Sequence, residues 1–271
     1  MLVELHRERF FQVTSFFEEK LHYIPVMTVL NGQYPGRVFV DNVHKPTVVV
    51  VIAINRWIYI EGTIPTELEG RLLFNMERII SFVGEDIDRF EVYANNKGVW
   101  EEEFLAPHRR YNAKKHYEST YTFNKQEFYQ MKSKFAAKDN LSIHIERFPM
   151  LPEKYAVSAY SHYLQETKIG ARIKKGKNTV TICKNNGFEY DNYYFIDVDT
   201  FQEEDRGKGY AFIAAALVIE YELERGLEPL WETTNHNEAS HRLATKLGFK
   251  KEVSYPVYTF YKKESKEKEN E

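Results

Sequence analysis

The strongest constraint on this chain is a strand, a glycine turn and a helix in immediate succession. Tyr194-Phe195-Ile196-Asp197-Val198-Asp199-Thr200 reads as a strand, Arg206-Gly207-Lys208-Gly209-Tyr210-Ala211 as the turn, and the apolar run 212–223 as a helix. A helix opened by such a turn presents unpaired N–H groups and the positive end of its dipole. Phosphate or pyrophosphate is the ligand that such a helix start accepts. Alone, the turn is a loose pattern that chance supplies in roughly one chain in five of this length. Its place after a strand and before a helix is what gives it weight. The competing phosphate motifs are missing: the sequence holds no G-x-x-x-x-G-K-[ST] and no G-x-G-x-x-G at this turn.

Composition narrows the classes. With 271 residues, 43% hydrophobic and 15% aromatic, the chain can bury a sizeable core in one large or two ordinary domains. A net charge of −3 supplies no basic field for nucleic acid or a membrane surface. The single cysteine, Cys183, excludes an internal disulfide framework and suits a cytoplasmic, reducing location. The first twelve residues are too charged for a secretory signal. The longest apolar stretch, 48–54, is too short to cross a bilayer and reads as a buried strand. The nine histidines show no ligand spacing, so no metal is expected; His236 and His241 read as surface or core residues, His241 facing out of its helix.

Periodicity predicts a helix over 2–23, strands at 37–40, 47–54 and 57–60 in an antiparallel meander, and a helix opened by Pro65 to about 82. A strand at 90–93, a short helix at 97–105, a polar loop at 107–115 and a helix-like stretch within 126–153 follow. A helix at 152–167 then leads into strands at 169–174, 179–184 and 193–200, a helix at 207–225, a strand at 229–233, a helix at 238–247 and strands across 249–261. The expected domains are 1–138 and 139–262, with a charged disordered tail at 263–271. The two halves share an element order without a shared residue pattern. Either they are a tandem of related folds, or mixed α/β chains have produced the order by chance.

The turn is followed by Asn237-Glu238-Ala239-Ser240-His241-Arg242-Leu243-Ala244-Thr245-Lys246-Leu247-Gly248-Phe249. Together the two segments resemble the GNAT superfamily of acetyl-CoA-dependent N-acetyltransferases, in its R/Q-x-x-G-x-G/A motif and its N-x-x-S-x-x-L-x-x-K-x-G-F segment. Glu228-Pro229-Leu230-Trp231-Glu232 and 243–249 resemble a two-part branch that includes zwittermicin A resistance proteins. The similarity covers about 193–261. It implies an α/β (α+β) fold: a mixed, mostly antiparallel sheet flanked by helices in the C-terminal half, with an N-terminal α/β domain that is a candidate degenerate GNAT-like unit. It implies parallel strands at 193–200 and 229–233 that splay apart around the pantetheine arm of acetyl-CoA. Backbone near Val198 and Thr200 would pair with that arm, and Arg206, Gly207, Lys208, Gly209, Tyr210 and Ala211 would hold the pyrophosphate. Asn237 and Ser240 would line the thioester side; equally, Asn237 reads as an N-cap and Ser240 as a first-turn helix residue.

The implied chemistry is attack of a neutral amine on a thioester, with the oxyanion held by a backbone N–H of the 193–200 strand. The base would be a carboxylate: Glu232 is preferred, Asp199 comes second, and Asp197 shares the face of Asp199. A solvated strand face is the plain alternative for the aspartates. The chain departs from the family pattern at Ala244, where a tyrosine usually supplies the acid; Tyr255 and Tyr258 are either substitutes or packing residues. Five residues between Thr200 and Arg206 are one more than usual. The expected function is N-acetyl transfer to a primary amine of a small molecule, an antibiotic or related metabolite, with the N-terminal half shaping the acceptor cleft. The alternative is a non-catalytic acyl-CoA sensor or assembly module. Nothing marks a peptide groove, and the oligomeric state stays open.

Overall fold

A run of short strands forms the meander that the first half of the sequence predicts: β2 (Gly36–Val40), β3 (Val48–Ala53) and β4 (Trp57–Gly62), preceded by β1 (Val3–Glu4). All six residues of β3 are buried, as expected of a β-branched run in a central strand. The computed structural model describes residues 1–17, 20–68, 70–81, 87–94, 99–133, 141–151, 163 and 166–263. The chain forms two compact units, Met1–Tyr117 with Tyr255–Glu271, and Glu118–Ser254. The boundary expected at 138/139, most of the helix expected at 152–167 and nearly all of the tail lie outside the described residues.

In the first unit, β1 to β4 pair antiparallel in sequence order. The helix α2 (Leu72–Ser81) then carries the chain to β5 (Arg89–Ala94), parallel to β4. The far edge of β5 pairs antiparallel with 257–261 of β12 (Phe249–Lys262), the last strand of the chain. Ile58, Ile60, Phe90, Val92 and Phe260 pack with Leu72, Leu73, Met76, Ile79 and Ile80 of α2 on one face. Between β1 and β2 lies α1 (Ile24–Leu30), every residue of which is buried; α3 (Val99–Leu105) follows β5.

The second unit follows the same plan. Its strands are β7 (Ser142–Pro149), β8 (Thr167–Lys175), β9 (Asn178–Tyr190) and β10 (Tyr193–Thr200), paired antiparallel in order. The helix α5 (Tyr210–Glu224) leads to β11 (Glu228–Thr234), parallel to β10. The outer edge of β11 pairs antiparallel with β6 (Tyr111–Phe123), a strand from the middle of the chain. Two helices, α4 (Lys125–Lys132) and α6 (Glu238–Lys246), complete it. On α5, Phe212, Ala214, Ala215, Ala216, Val218 and Ile219 are buried against Ala171, Ile173, Tyr194 and Ile196 of the sheet. A helix this apolar has to be enclosed.

Several elements differ from expectation. Residues 2–23 are not one α-helix but β1, a 3-10 helix over Arg7–Phe16 and a short 3-10 turn at Leu21–Tyr23. The apolar positions Phe10, Val13 and Phe16 recur every three residues, which is the 3-10 period. The helix after Pro65 is a 3-10 turn, Thr66–Leu68, followed by α2. The expected loop at 107–115 contains the start of β6, and β7 was not foreseen. Both β6 and β12 pass from one unit into the other.

Candidate functional site

The site is built where β10 and β11 part. Their parallel register runs over Tyr193–Phe195 and Glu228–Leu230. Beyond it, β10 continues through Thr200 paired only with β9 on its other side, among the described residues, while Trp231–Thr234 pair with β6. The Phe201 N–H donates to the Val180 carbonyl at 3.1 Å. Alternate residues of an antiparallel strand aim N–H and C=O at the same neighbour. The backbone groups of Asp197 and Asp199 therefore face β9, and those of Val198 and Thr200 face the opening toward β11. An extended ligand arm can pair there as an added strand would.

Above the opening lies the start of α5. Gly209 is its N-cap, with φ 85° and no side-chain cap, and Gly207 has φ 73°. Both lie in the left-handed region that favours glycine. A Cβ on Gly207 would meet open space, so the backbone conformation, not crowding within the protein, requires glycine there. The first helical bond runs from the Ile213 N–H to the Gly209 carbonyl at 3.1 Å. The N–H groups of Tyr210 and Ala211 therefore have no intrahelical acceptor. The helix begins at Tyr210 rather than at Gly207. The extra loop length is taken up by a 3-10 turn, Glu203–Asp205. Its buried Asp205 lies 3.4 Å from Lys208 Nζ and 3.9 Å from Lys175 Nζ, so Lys208 is held beside the turn; Arg206 is exposed.

Three carboxylates share a face. Ile196 and Val198 of β10 and Trp231 of β11 pack into the apolar cluster under α5. By strand alternation Asp197, Asp199 and Glu232 point to the opposite face. Asp197 lies 3.4 Å from Lys184 of β9. The carboxyl of Asp199 is pushed above its ordinary range by partial burial and by the Asp197 charge, with Lys184 opposing. Lys168 of β8 donates to the carbonyls of Met150 and Asn186, at 3.0 and 2.9 Å. Burial, with Lys184 nearby, lowers its pKa to about 8. Among the described residues no group of three or more His, Cys, Asp or Glu is placed to hold a metal, and no helix is long and apolar enough to cross a membrane.

On the β11 side, Asn237 caps α6, its side chain accepting from the Ser240 N–H at 3.1 Å. Ser240 Oγ accepts from Trp231 Nε1 at 2.9 Å. Ala244 is fully buried. Tyr255 and Tyr258 belong to the first unit, where Tyr255 stacks on His22 and Tyr258 packs on Phe104. Sequence reasoning missed Tyr121 of β6, whose hydroxyl hydrogen-bonds His241 Nδ1. His241 is half-buried between that phenol and the Asn235 carbonyl, rather than facing out of its helix.

The comparisons with known proteins agree with this geometry. A Bacillus subtilis (strain 168) protein described as an uncharacterized N-acetyltransferase, YdfB, is 35% identical over 89 residues, which span 33% of each chain. Among solved structures, a GCN5-related N-acetyltransferase-like protein from Streptococcus suis superposes with a TM-score of 0.67 at 18% identity, covering 93% of this chain and 98% of its own. One from Sphaerobacter thermophilus gives 0.58 at 12%, covering 96% and 94%. A tandem GNAT protein from the clavulanic acid biosynthesis pathway gives 0.57 at 10%, covering 96% and 97%. At these identities the structures speak for the fold. The family model for GNAT acetyltransferases matches residues 14–258, and the chain belongs to that family.

Proposed function

We propose that this chain is an acetyl-CoA-dependent N-acetyltransferase whose second unit holds the acyl-CoA and whose acceptor is a primary amine on a small molecule. The observation that carries the reading is the parting of β10 from β11 beneath an α5 start whose cap is a bare glycine. Acetyl-CoA, the substrate that supplies the acetyl group, fits the residues present. Its pyrophosphate would lie on the backbone N–H groups of Gly207, Lys208, Gly209, Tyr210 and Ala211, with Arg206 and Lys208 adding charge. Its pantetheine arm would pair with the backbone of Val198 and Thr200, and Asn237 and Ser240 would line the thioester side. A β10 backbone N–H would hold the oxyanion. Glu232 or Asp199 would take the amine proton, and partial burial raises the Asp199 pKa, which suits a base. The resemblance to the zwittermicin-resistance branch is what favours an antibiotic or related metabolite as acceptor. The lone buried Cys183 suits action in a reducing cytoplasm.

Thermal melting with acetyl-CoA tests the reading. A ligand at 100 times its Kd stabilises by about 2.7 kcal/mol, a shift of several degrees. No shift for the wild-type chain would remove the proposal. A second reading, a non-catalytic acyl-CoA sensor, is favoured by Ala244 in place of the usual tyrosine. Thiol release measured over a panel of amines separates the two: binding without turnover on any amine would select the sensor.

A further inference from the structure

A coenzyme A thioester is anionic twice over at its nucleotide end. Besides the pyrophosphate it carries, a few bonds away on the ribose, a 3′-phosphate with about two negative charges at neutral pH. The α5 start answers the first group with backbone N–H donors; the second needs cations of its own.

The hairpin between β8 and β9 brings such cations to the glycine turn. Its loop is two residues long, Gly176-Lys177, closed by the pair Lys175 and Asn178. Gly176 has φ 62°, as the first loop position of so tight a hairpin requires. The tip therefore presents Lys174, Lys175 and Lys177, the last two exposed. It lies at the end of β9 that pairs with the last residues of β10: Thr181 stands opposite Thr200, and the Phe201 N–H donates to Val180. Tip and turn meet through Asp205, a buried carboxylate 3.9 Å from Lys175 Nζ and 3.4 Å from Lys208 Nζ. Alone, an acid there would repel a phosphate; flanked by two ammonium groups, it ties the hairpin to the turn instead. At 3.9 Å the Lys175 N–H groups remain available to another acceptor. Over 174–177 and 203–208 the chain carries five Lys or Arg and three Asp or Glu, a positive balance on a protein whose net charge is −3.

We propose that Lys175 and Lys177 at this tip bind the 3′-phosphate and make the donor a free coenzyme A thioester rather than an acyl group on a carrier protein. The inference rests on the acyl-CoA reading above. A carrier-bound acyl group has the same pantetheine arm and thioester but no adenosine 3′-phosphate. The nucleotide end is where the two donors differ, and the tip reads it there.

The test measures the affinity of CoA and of 3′-dephospho-CoA by calorimetry in three proteins. These are the wild type, the double variant Lys175→Met with Lys177→Met, and Lys250→Met, which removes a charge from β12 instead. Wild type should prefer CoA by about 30-fold. The double variant should lose that preference without weakening 3′-dephospho-CoA, and Lys250→Met should keep it. The preference should shrink as salt rises. In turnover the double variant should raise the KM for acetyl-CoA by the same factor at constant kcat. Equal binding of both compounds by wild type would overturn the inference while leaving the acyl-CoA reading in place. An equal loss in Lys250→Met would overturn it too, since net charge would then set the preference. Failure of wild type to bind either compound would overturn the acyl-CoA reading and this inference with it. Matching melting temperatures confirm that the variants fold, and the wild-type ratio stands as a test without them.

Discussion

The two units run the same course, three antiparallel pairings, a helix and then one parallel pairing, but they end it differently. In the first, β4 pairs with β5 through Ile60 and stops two residues later at Gly62. In the second, β10 runs five residues past its last pairing with β11. The helix starts differ in the same sense. The N–H groups of Leu72 and Leu73 in α2 both face Glu103 Oε1, at 2.9 and 3.4 Å, so a carboxylate of the chain itself occupies the positive end of that helix. At α5 the cap is Gly209, which offers no side chain. One plan thus yields a closed unit and an open one, and the difference lies in a few residues at the strand end and helix start. The largest prediction follows from it. Gly209→Asp places a carboxylate where Glu103 sits in the other unit. It should abolish the acetyl-CoA thermal shift, a loss of about 2.7 kcal/mol of ligand stabilisation at 100 times the wild-type Kd, and the strain of a side chain at φ 85° should lower the unliganded melt as well. Calorimetry on the wild type should give one acyl-CoA per chain; two would break the comparison.

The next effect belongs to the closed unit. On the face of its sheet away from α2, Glu61 is bonded by the Tyr23 hydroxyl and by Lys20 at 3.3 Å. His22 stacks between Tyr23 and Tyr255, with ring centroids 4.2 Å from each and its Nδ1 unpartnered. Burial, with the Lys20 charge adding to it, lowers the His22 pKa to about 3. An unfolded imidazole takes up its proton near 6.5, so between that pH and about 3 the unfolded chain binds more protons than the folded one. Stability therefore falls as pH drops through this window, by on the order of 5 kcal/mol in all. Urea melts at pH 7 and pH 4.5 measure it. His22→Gln should flatten the dependence, and an unaltered slope in that variant would assign the acid sensitivity to other groups.

A third contrast separates the carboxylates. Those of the first unit are bonded within the protein, Glu61 by Tyr23 and Glu91 by Arg89. Asp199 is exposed on β10, past the last pairing with β11. Glu232→Gln or Asp199→Asn should reduce kcat by about 100-fold if it removes the base, whereas Glu91→Gln should leave kcat unchanged. Equal kcat values in all three variants would show that water alone takes the amine proton.

How much of this was legible follows the same division. The segment from β10 to α6 could be read because its signals are local: the glycine turn, the alanine-rich helix, and the Asn cap whose amide is three residues away. The exchange of β6 and β12 between units could not, because each pairs with residues far off in sequence. β6 also lacks an apolar alternation, since Glu118, Ser119 and Thr120 are all buried polar residues. Ser119 Oγ is satisfied by Asn235 at 2.5 Å and by Ser254 at 2.7 Å, partners that only the fold brings near. Missing β6 meant missing Tyr121, and so the setting of His241. The 3-10 segment at Arg7–Phe16 was misread for a simpler reason: spacings of three and of three-to-four are hard to separate in ten residues.

The smallest prediction sets one helix start against another. Asn237 caps α6 through the Ser240 N–H, and Glu103 covers the first N–H groups of α2. Removing either, as Asn237→Ala or Glu103→Ala, should cost about 1 kcal/mol in a denaturant melt, the usual worth of a cap. The two losses should differ in what else they change. The α6 start follows β11 at the opening from β10, so Asn237→Ala should also raise the KM for acetyl-CoA several-fold, while Glu103→Ala should leave it unchanged. If both lose about 1 kcal/mol and neither moves KM, Asn237 is a cap and nothing more, and the thioester side is lined by Ser240 and the β10 backbone alone.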